Sequence, residues 1–208
     1  HSSIWCIVKD NQGTLWLGTY FGGVNYFNPE YEIYTRYSYS SNEKKGLSNP
    51  VVGRTIEDKD GNLWIGTEGG GLNYYNRRTR EFKWYRPQEG RNSISHNNVK
   101  ALYYDADKEI IWIGTHLGGL NKLDIRSGHF THYRMEEGNP ATLPSDIIRD
   151  IIPYKSLLIV ATQNGVCLFN PANGQCQQLF KDSKEGKSIK MIADVTFDSE
   201  GTLWIAAT

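Results

Sequence analysis

Three cysteines and one acidic segment are the residues of this chain that could hold a metal ion or form a redox site. Cys6, Cys167 and Cys176 show no CxxC spacing and no accompanying histidine pair, which argues against zinc. Cys167 and Cys176 flank a turn at residues 170–174 and could bridge across a hairpin in an oxidising compartment, although two reduced, half-buried thiols are the favoured interpretation. Residues 58–62 resemble the start of a calcium loop but lack its distal glutamate, so we interpret them as a hairpin turn. The sequence predicts no metal site and no cofactor.

The histidines and carboxylates form no recognisable catalytic set. His96, His116, His129 and His132 are not clustered, and the last two are spaced to lie on opposite faces of a strand. A glycosidase or polysaccharide lyase would need two carboxylates at a defined separation across a cleft. Because no pair of acidic residues stands out from the repeated pattern described below, we predict that this segment is not an enzyme.

The overall composition limits the partners and suggests the elements that position these residues. The 208 residues carry 23 basic and 23 acidic side chains, so no net field attracts nucleic acid or an anionic membrane surface, and we expect no direct nucleic acid binding. The 6 Trp, 13 Tyr, 7 Phe and 21 Gly suggest short strands joined by tight turns. No apolar run reaches the roughly 18 residues that a membrane helix needs.

A five-residue motif returns along the chain at a nearly constant interval. Leu-Trp-Leu-Gly-Thr at residues 15–19 recurs in related form at residues 63–67, 111–115, 158–162 and 203–207, at spacings of 48, 48, 47 and 45 residues. Its surroundings recur as well, with an apolar segment and a turn before it, and a glycine pair and two further apolar segments after it. Four short strands therefore fit each period.

Four-stranded antiparallel units at this period predict an all-β fold, a β-propeller segment of about four and a half blades. The predicted blades cover residues 1–46, 47–94, 95–142 and 143–187, with an incomplete blade at 188–208. We expect the tryptophan of each second strand to fill the interface between blades: Trp16, Trp64, Trp112 and Trp204. Seven blades of this period would need about 330 residues, so we expect the chain to be a segment of a longer polypeptide. Its expected partners are then the remaining blades of that polypeptide.

The repeat resembles the two-component regulator propeller repeat. Residues 58–76 read DKDGNLWIGTEGGGLNYYN, and the first and third copies match this closely at residues 24–28 and 120–124. The fourth copy departs from it, since Ile159 replaces the tryptophan and Ala161 the glycine. WD40 blades have a similar length, but their Gly-His and Trp-Asp pairs do not recur here.

This resemblance implies a place in a larger protein. Members of the family are hybrid sensor histidine kinases of Bacteroidetes, with periplasmic propellers usually of seven blades, a β-sandwich, a membrane helix and cytoplasmic modules. Many respond to oligosaccharides. The implied role is therefore a periplasmic sensor segment of an inner-membrane, homodimeric parent, which relays the signal to a kinase outside this chain. Two alternatives stay open: a protein-interaction or dimerisation scaffold, and a polysaccharide-active propeller enzyme.

The loops between second and third strands vary on an otherwise repeated frame, which suggests recognition. Aromatic faces and planar polar groups are typical of sugar sites, and these loops offer Tyr20, Phe21, Glu68, His116, Gln163 and Asn164. Near the start of the innermost strands, Arg54, Lys100, Arg149 and Asp150 could present charge to an acidic sugar. That all of these are ordinary solvated turn residues is the alternative.

Overall fold

The structure is a computed structural model that describes residues 3–28, 33–180 and 191–207. Within those ranges the chain forms 18 strands and no α-helix, with one 3-10 turn at Glu43–Lys45. The strands make four four-stranded sheets and one two-stranded sheet, and every pairing is antiparallel between strands consecutive in sequence. The all-β prediction of four-stranded antiparallel units is confirmed.

The strand bounds show the same spacing in each sheet. The first sheet comprises β1 (Ile4–Lys9), β2 (Leu15–Thr19), β3 (Gly23–Asn28) and β4 (Ile33–Tyr37). The second comprises β5 (Val52–Glu57), β6 (Leu63–Thr67), β7 (Gly71–Asn76) and β8 (Glu81–Tyr85). The third comprises β9 (Val99–Asp105), β10 (Ile110–Thr115), β11 (Leu120–Asp124) and β12 (Phe130–Tyr133). The fourth comprises β13 (Ile148–Tyr154), β14 (Leu157–Thr162), β15 (Gly165–Phe169) and β16 (Cys176–Leu179), and the fifth β17 (Ile192–Phe197) and β18 (Leu203–Ala207). The boundaries between blades stay predictions.

An aspartate shapes the hairpin between the first two strands of a sheet. The Oδ1 atom of Asp58 accepts the backbone N–H groups of Asp60 at 3.0 Å and Asn62 at 2.9 Å, and its Oδ2 accepts the indole N–H of Trp64 at 3.1 Å. The same indole-to-aspartate bond recurs from Trp16 to Asp10 and from Trp204 to Asp198. Residues 58–62 are thus the hairpin turn that the sequence predicted. The Asp58 carboxylate accepts hydrogen bonds from its own hairpin.

The first strands of successive sheets, β1, β5, β9, β13 and β17, lie side by side and form the innermost layer of the stack. Glycine in the second strand lets the next sheet approach. A Cβ atom on Gly66 would lie 2.6 Å from the Val99 side chain, and one on Gly114 would lie 2.5 Å from that of Ile148. The sheets therefore pack face to face around a common centre, as in a propeller.

The core lies between the sheets, as the repeated tryptophans predicted for three of them. Trp16, Trp64 and Trp112 are 3%, 2% and 1% exposed, and each belongs to a cluster that also contains apolar side chains of the following sheet. The Trp204 side chain is 61% exposed, so its place in an interface between blades stays a prediction. Among the described residues, the main contacts of β18 are with β17, its partner in the same sheet.

Candidate functional site

The loops between second and third strands lie on the same face of the stack as the starts of the innermost strands. Antiparallel pairing requires this, since it places Thr67 opposite Val52 and Thr115 opposite Val99. The first residue of each loop also donates its backbone N–H to a backbone carbonyl. In each case the acceptor is the residue just before the innermost strand of the same sheet. These bonds run from Tyr20 to Ser3, Glu68 to Val51, His116 to Asn98 and Gln163 to Ile147, at 2.9–3.0 Å.

An ion pair joins a loop of the second sheet to the innermost strand of the third. The Lys100 ammonium donates to the Glu68 carboxylate, and both side chains are 23% exposed. The same ammonium lies 5.8 Å from the centroid of the Trp5 ring, in the first sheet. The loop candidates and the inner-strand candidates, which the sequence analysis treated as separate groups, therefore meet at this point.

Three aromatic rings follow from there along the same face. Trp5 stacks on Tyr20 with centroids 5.1 Å apart and planes 18° apart, and Tyr20 meets Phe21 edge to face at 4.4 Å. Trp5 and Phe21 are about half exposed. Sequence reasoning missed Trp5, although it occupies the same position in its innermost strand as Lys100 does, a signal that strand register could have supplied.

On the other side of Lys100 lie an imidazole and a guanidinium. Burial lowers the pKa of His116, and the positive charges of Lys100 and Arg149 lower it further, so the ring is neutral near pH 7. Arg149 donates from Nη2 to Oε1 of Gln163 at 3.2 Å. The Nδ1 atom of His116 and the Nε atom of Arg149 are both buried and have no hydrogen-bond partner among the described residues.

These residues form one continuous surface, which we call the channel-mouth cluster: Trp5, Tyr20, Phe21, Glu68, Lys100, His116, Arg149 and Gln163. Surface grooves of about 690 Å³ and 500 Å³ lie outside this cluster, beside residues 135–144 and between the first two sheets. Asn164 follows Gln163 in the loop, where its backbone N–H donates to Thr162 Oγ1 at 3.3 Å.

Arg54 lies apart from the channel-mouth cluster. Its guanidinium pairs with Asp150 at 3.4 Å and with Asp194 at 3.1 Å, and so links the second sheet to the fourth and fifth. Burial raises the pKa of Asp150 to about 6, helped by its hydrogen bond with Asp194 and opposed by the charge of Arg54. Sequence reasoning missed Asp194, although the three residues share one register position in β5, β13 and β17.

No group of three or more His, Cys, Asp or Glu side chains within residues 3–28, 33–180 and 191–207 is placed to hold a metal ion. Over the same ranges, no helix has the length and apolar character needed to cross a membrane.

Comparison with known proteins agrees with the repeat pattern and the fold. Residues 1–21, 46–69 and 93–116 match the family described as two component regulator propeller. None of the curated proteins compared with the chain matches it.

Solved structures share the fold over the whole chain. The extracellular domain of BT3049 from B. thetaiotaomicron, described as a hybrid two component system, superposes with a TM-score of 0.82 and 24% identity, over 100% of this chain and 28% of that one. That of BT4673, from the same organism and similarly described, gives 0.77 and 25%, over 99% and 28%. Virginiamycin B lyase from Staphylococcus aureus gives 0.72 and 13%, over 99% and 64%. The predicted propeller fold is confirmed, and the chain spans little more than a quarter of the length of the first two structures.

Proposed function

We propose, from the two component regulator propeller repeats that the chain carries, that it is an extracytoplasmic ligand-recognition segment of a hybrid two-component sensor and that its ligand is an oligosaccharide. The parent protein would lie in the inner membrane with this segment in the periplasm, act as a homodimer, and pass the signal to a histidine kinase outside this chain. The superposed B. thetaiotaomicron domains are described as extracellular, which supports this placement. The segment itself then needs no catalytic residue.

One observation carries the proposal: the channel-mouth cluster sets a half-exposed aromatic stack beside buried polar atoms that have no hydrogen-bond partner among the described residues. Buried donors and acceptors are nearly always paired in proteins, so an unpaired one calls for a water or a ligand. Arg149 Nε is a donor and His116 Nδ1 a donor or acceptor, according to tautomer. A sugar matches this surface, since its hydroxyl groups pair with such atoms while its C–H face packs on a ring.

The charges in the cluster bear on the kind of sugar. Lys100 is neutralised by Glu68, whereas Arg149 makes no ion pair with any described carboxylate. One uncompensated guanidinium, beside a neutral His116, favours a saccharide that carries a single carboxylate near the fourth sheet and neutral residues over the Trp5 and Tyr20 rings. Of the Arg54, Lys100 and Arg149 side chains named in the acidic-sugar hypothesis, Arg149 is thus the one without an ion pair to a described carboxylate.

Thermal unfolding of the complete extracytoplasmic region, with neutral and uronic-acid-containing oligosaccharides, tests the proposal. A ligand at 100 times its Kd stabilises the folded state by about 2.7 kcal/mol, which raises the midpoint by several degrees. Tyr20→Ala should remove this shift for both sugar types, and Arg149→Gln should remove it mainly for the acidic sugar. Asp60→Asn, in an exposed turn on the opposite face, is the matched control and should keep the full shift.

Other outcomes identify the alternatives. If no oligosaccharide moves the midpoint but the midpoint rises with protein concentration, the segment is a dimerisation scaffold. If polysaccharide is cleaved by the region, and cleavage is lost on changing Asp150 or Asp194, the enzyme alternative holds. The fold does not choose between these, because one fold hosts many functions.

A further inference from the structure

Two of the sheets carry a polar clamp between the third strand and the loop that leads into the sheet. In the second sheet, Asn73 Oδ1 accepts the backbone N–H of Ser48 at 2.8 Å, and Asn73 Nδ2 donates to Ser48 Oγ at 2.8 Å. In the third sheet, Asn121 and Ser95 make the same two bonds, each at 2.8 Å. Each clamp fixes the third strand to the preceding loop.

The fourth sheet has lost both halves of this clamp. Pro144 stands where Ser48 and Ser95 stand in the other sheets, and it has neither a backbone N–H nor a hydroxyl group. Cys167 stands at the position of the clamp asparagines, so both partners of the clamp are replaced in this sheet. One strand further out, Cys176 takes the position that holds a buried aromatic ring, Phe82 or Phe130, in the second and third sheets.

The two replacements bring two sulfur atoms together. The Sγ atoms of Cys167 and Cys176 lie 3.2 Å apart, on the paired strands β15 and β16. Cys167 is opposite Gln178 and Cys176 is opposite Phe169, so the cysteines are diagonal neighbours on the same face of the sheet. Both side chains are buried, which corrects the prediction of half-buried thiols: the sheet packs Cys167 against the third sheet's apolar residues.

We propose that Cys167 and Cys176 form a disulfide when the protein matures in an oxidising compartment. The bond joins β15 to β16 and engages, in the fourth sheet, the third-strand position that the clamp asparagine occupies in the second and third. Closing the contact to a covalent length of about 2.05 Å needs a movement of about 1 Å. Cys6 takes no part, since it lies in the first sheet with its Sγ 3.9 Å from Thr55 Oγ1.

The oxidant is a disulfide, supplied by a thiol oxidoreductase or by oxidised glutathione. The Cys176 thiolate attacks one sulfur of that disulfide, forming a mixed disulfide and releasing one thiol. The Cys167 thiolate then displaces the second thiol as the intramolecular bond forms. Two cysteine protons and two electrons are lost from the protein, and the oxidant is reduced to two thiols.

The order of attack follows from access. Cys176 lines a surface groove of about 220 Å³ together with Asn173 and Gln175, whereas Cys167 is fully buried. The hydrogen bond with Cys176, together with burial, raises the pKa of Cys167 well above its usual value. Because thiolates are the reacting species, we expect the bond to form during folding, before the fourth sheet packs against the third.

Counting free thiols under denaturing conditions tests the proposed Cys167–Cys176 disulfide in the wild-type protein. After folding with a mixture of oxidised and reduced glutathione, the denatured chain should label at one cysteine, Cys6, and after reduction it should label at all three. Proteolysis without reductant should release a peptide pair linked through Cys167 and Cys176. Labelling of three cysteines in the oxidised sample, or glutathione carried on Cys176 alone, would overturn the proposal.

Thermal unfolding gives a second, independent readout. Reduction of the wild-type chain should lower the midpoint by about 5 °C, the size expected for a short closed loop in a chain of this length. Cys6→Ser should keep that sensitivity to reductant, and the double variant Cys167→Ala/Cys176→Ala should lose it. Equal midpoints for oxidised and reduced wild type would refute a stabilising bond. Both readouts are independent of sugar binding, so they stand or fail separately from the sensor proposal.

Discussion

The Arg77 guanidinium, from the second sheet, lies 4.9 Å from the centroid of the Trp16 ring in the first sheet. It also pairs at 2.5 Å with Asp10, which accepts the Trp16 indole N–H. Burial by itself would raise the pKa of Asp10, but the hydrogen bonds from Trp16 and Arg77 lower it below its usual value. One cation thus covers the tryptophan and neutralises the carboxylate that positions it.

Arg77→Ala should therefore destabilise the interface between the first two sheets. It leaves a fully buried Asp10 carboxylate without its cation, so we expect a loss of about 3 kcal/mol in the free energy of unfolding. Chemical denaturation at pH 7 measures this. Arg78→Ala, at the neighbouring exposed position, is the control and should change the value by less than about 0.5 kcal/mol. Equal effects of the two variants would show that the Arg77 contacts carry no stability.

Gly66→Ala should weaken the packing of the second sheet on the third. The new methyl group would lie 2.6 Å from Val99 Cγ1 and 3.0 Å from its Cβ, which forces the strands apart at an expected cost of about 2 kcal/mol. Combining it with Val99→Ala tests the cause, since the double variant should lose less stability than the two single variants together. If the stability losses of the two single variants simply add in the double variant, the new methyl group does not clash with Val99. Ala161 occupies the equivalent position in the fourth sheet, where the methyl group is accommodated. The stability cost of an alanine at this position therefore depends on the side chains that the neighbouring strand places opposite it.

Asp150 should make the stability of the protein depend on pH. Its pKa of about 6 lies above the value of about 3.9 in an unfolded chain, so the folded state binds the proton more tightly. The free energy of unfolding should then fall, by on the order of 2 kcal/mol, as pH rises from about 4 to above 6.

Denaturation curves between pH 4 and pH 8 measure this slope. Asp150→Asn should flatten it, whereas the exposed Asp60→Asn should leave it unchanged. A slope that survives in Asp150→Asn would assign the titration to another group.

Asn73→Ala removes the clamp of the second sheet. The Ser48 N–H then stays buried without a partner, while its hydroxyl keeps the 3.4 Å contact with Thr67 Oγ1, and we expect a loss of about 2 kcal/mol. Asn11→Ala, at an exposed turn position, controls for the substitution itself. Hydrogen exchange should show faster exchange of the Ser48 amide in Asn73→Ala alone. Unchanged protection there would contradict the role given to the clamp.

The elements of this fold were accessible from the sequence because they repeat. Period, alternation and turn residues are local signals, and the same signal recurs in each sheet, so one weak copy such as residues 158–162 is interpreted from its neighbours. The same logic identified Trp16, Trp64 and Trp112 as core. For Trp204, which is 61% exposed, it stays a prediction, because burial depends on which sheet lies opposite as well as on the motif.

The candidate site was predictable only in part. Loop variation pointed to Tyr20, Phe21, Glu68, His116, Gln163 and Asn164, but their role in binding stays a prediction. Trp5 and Asp194 were missed, although each shares a register position with a residue that the sequence did single out.

By itself, the sequence determined the repeat, the strands, the hairpins and the face on which the loops lie, since all of these follow from residues within one period. Only the tertiary structure decided which charges pair: Lys100 with Glu68, and Arg54 with Asp194, 140 positions away. The reason is physical, because pairing at the centre of the stack depends on how successive sheets are rotated and spaced, and no local pattern encodes the distance between side chains of different sheets.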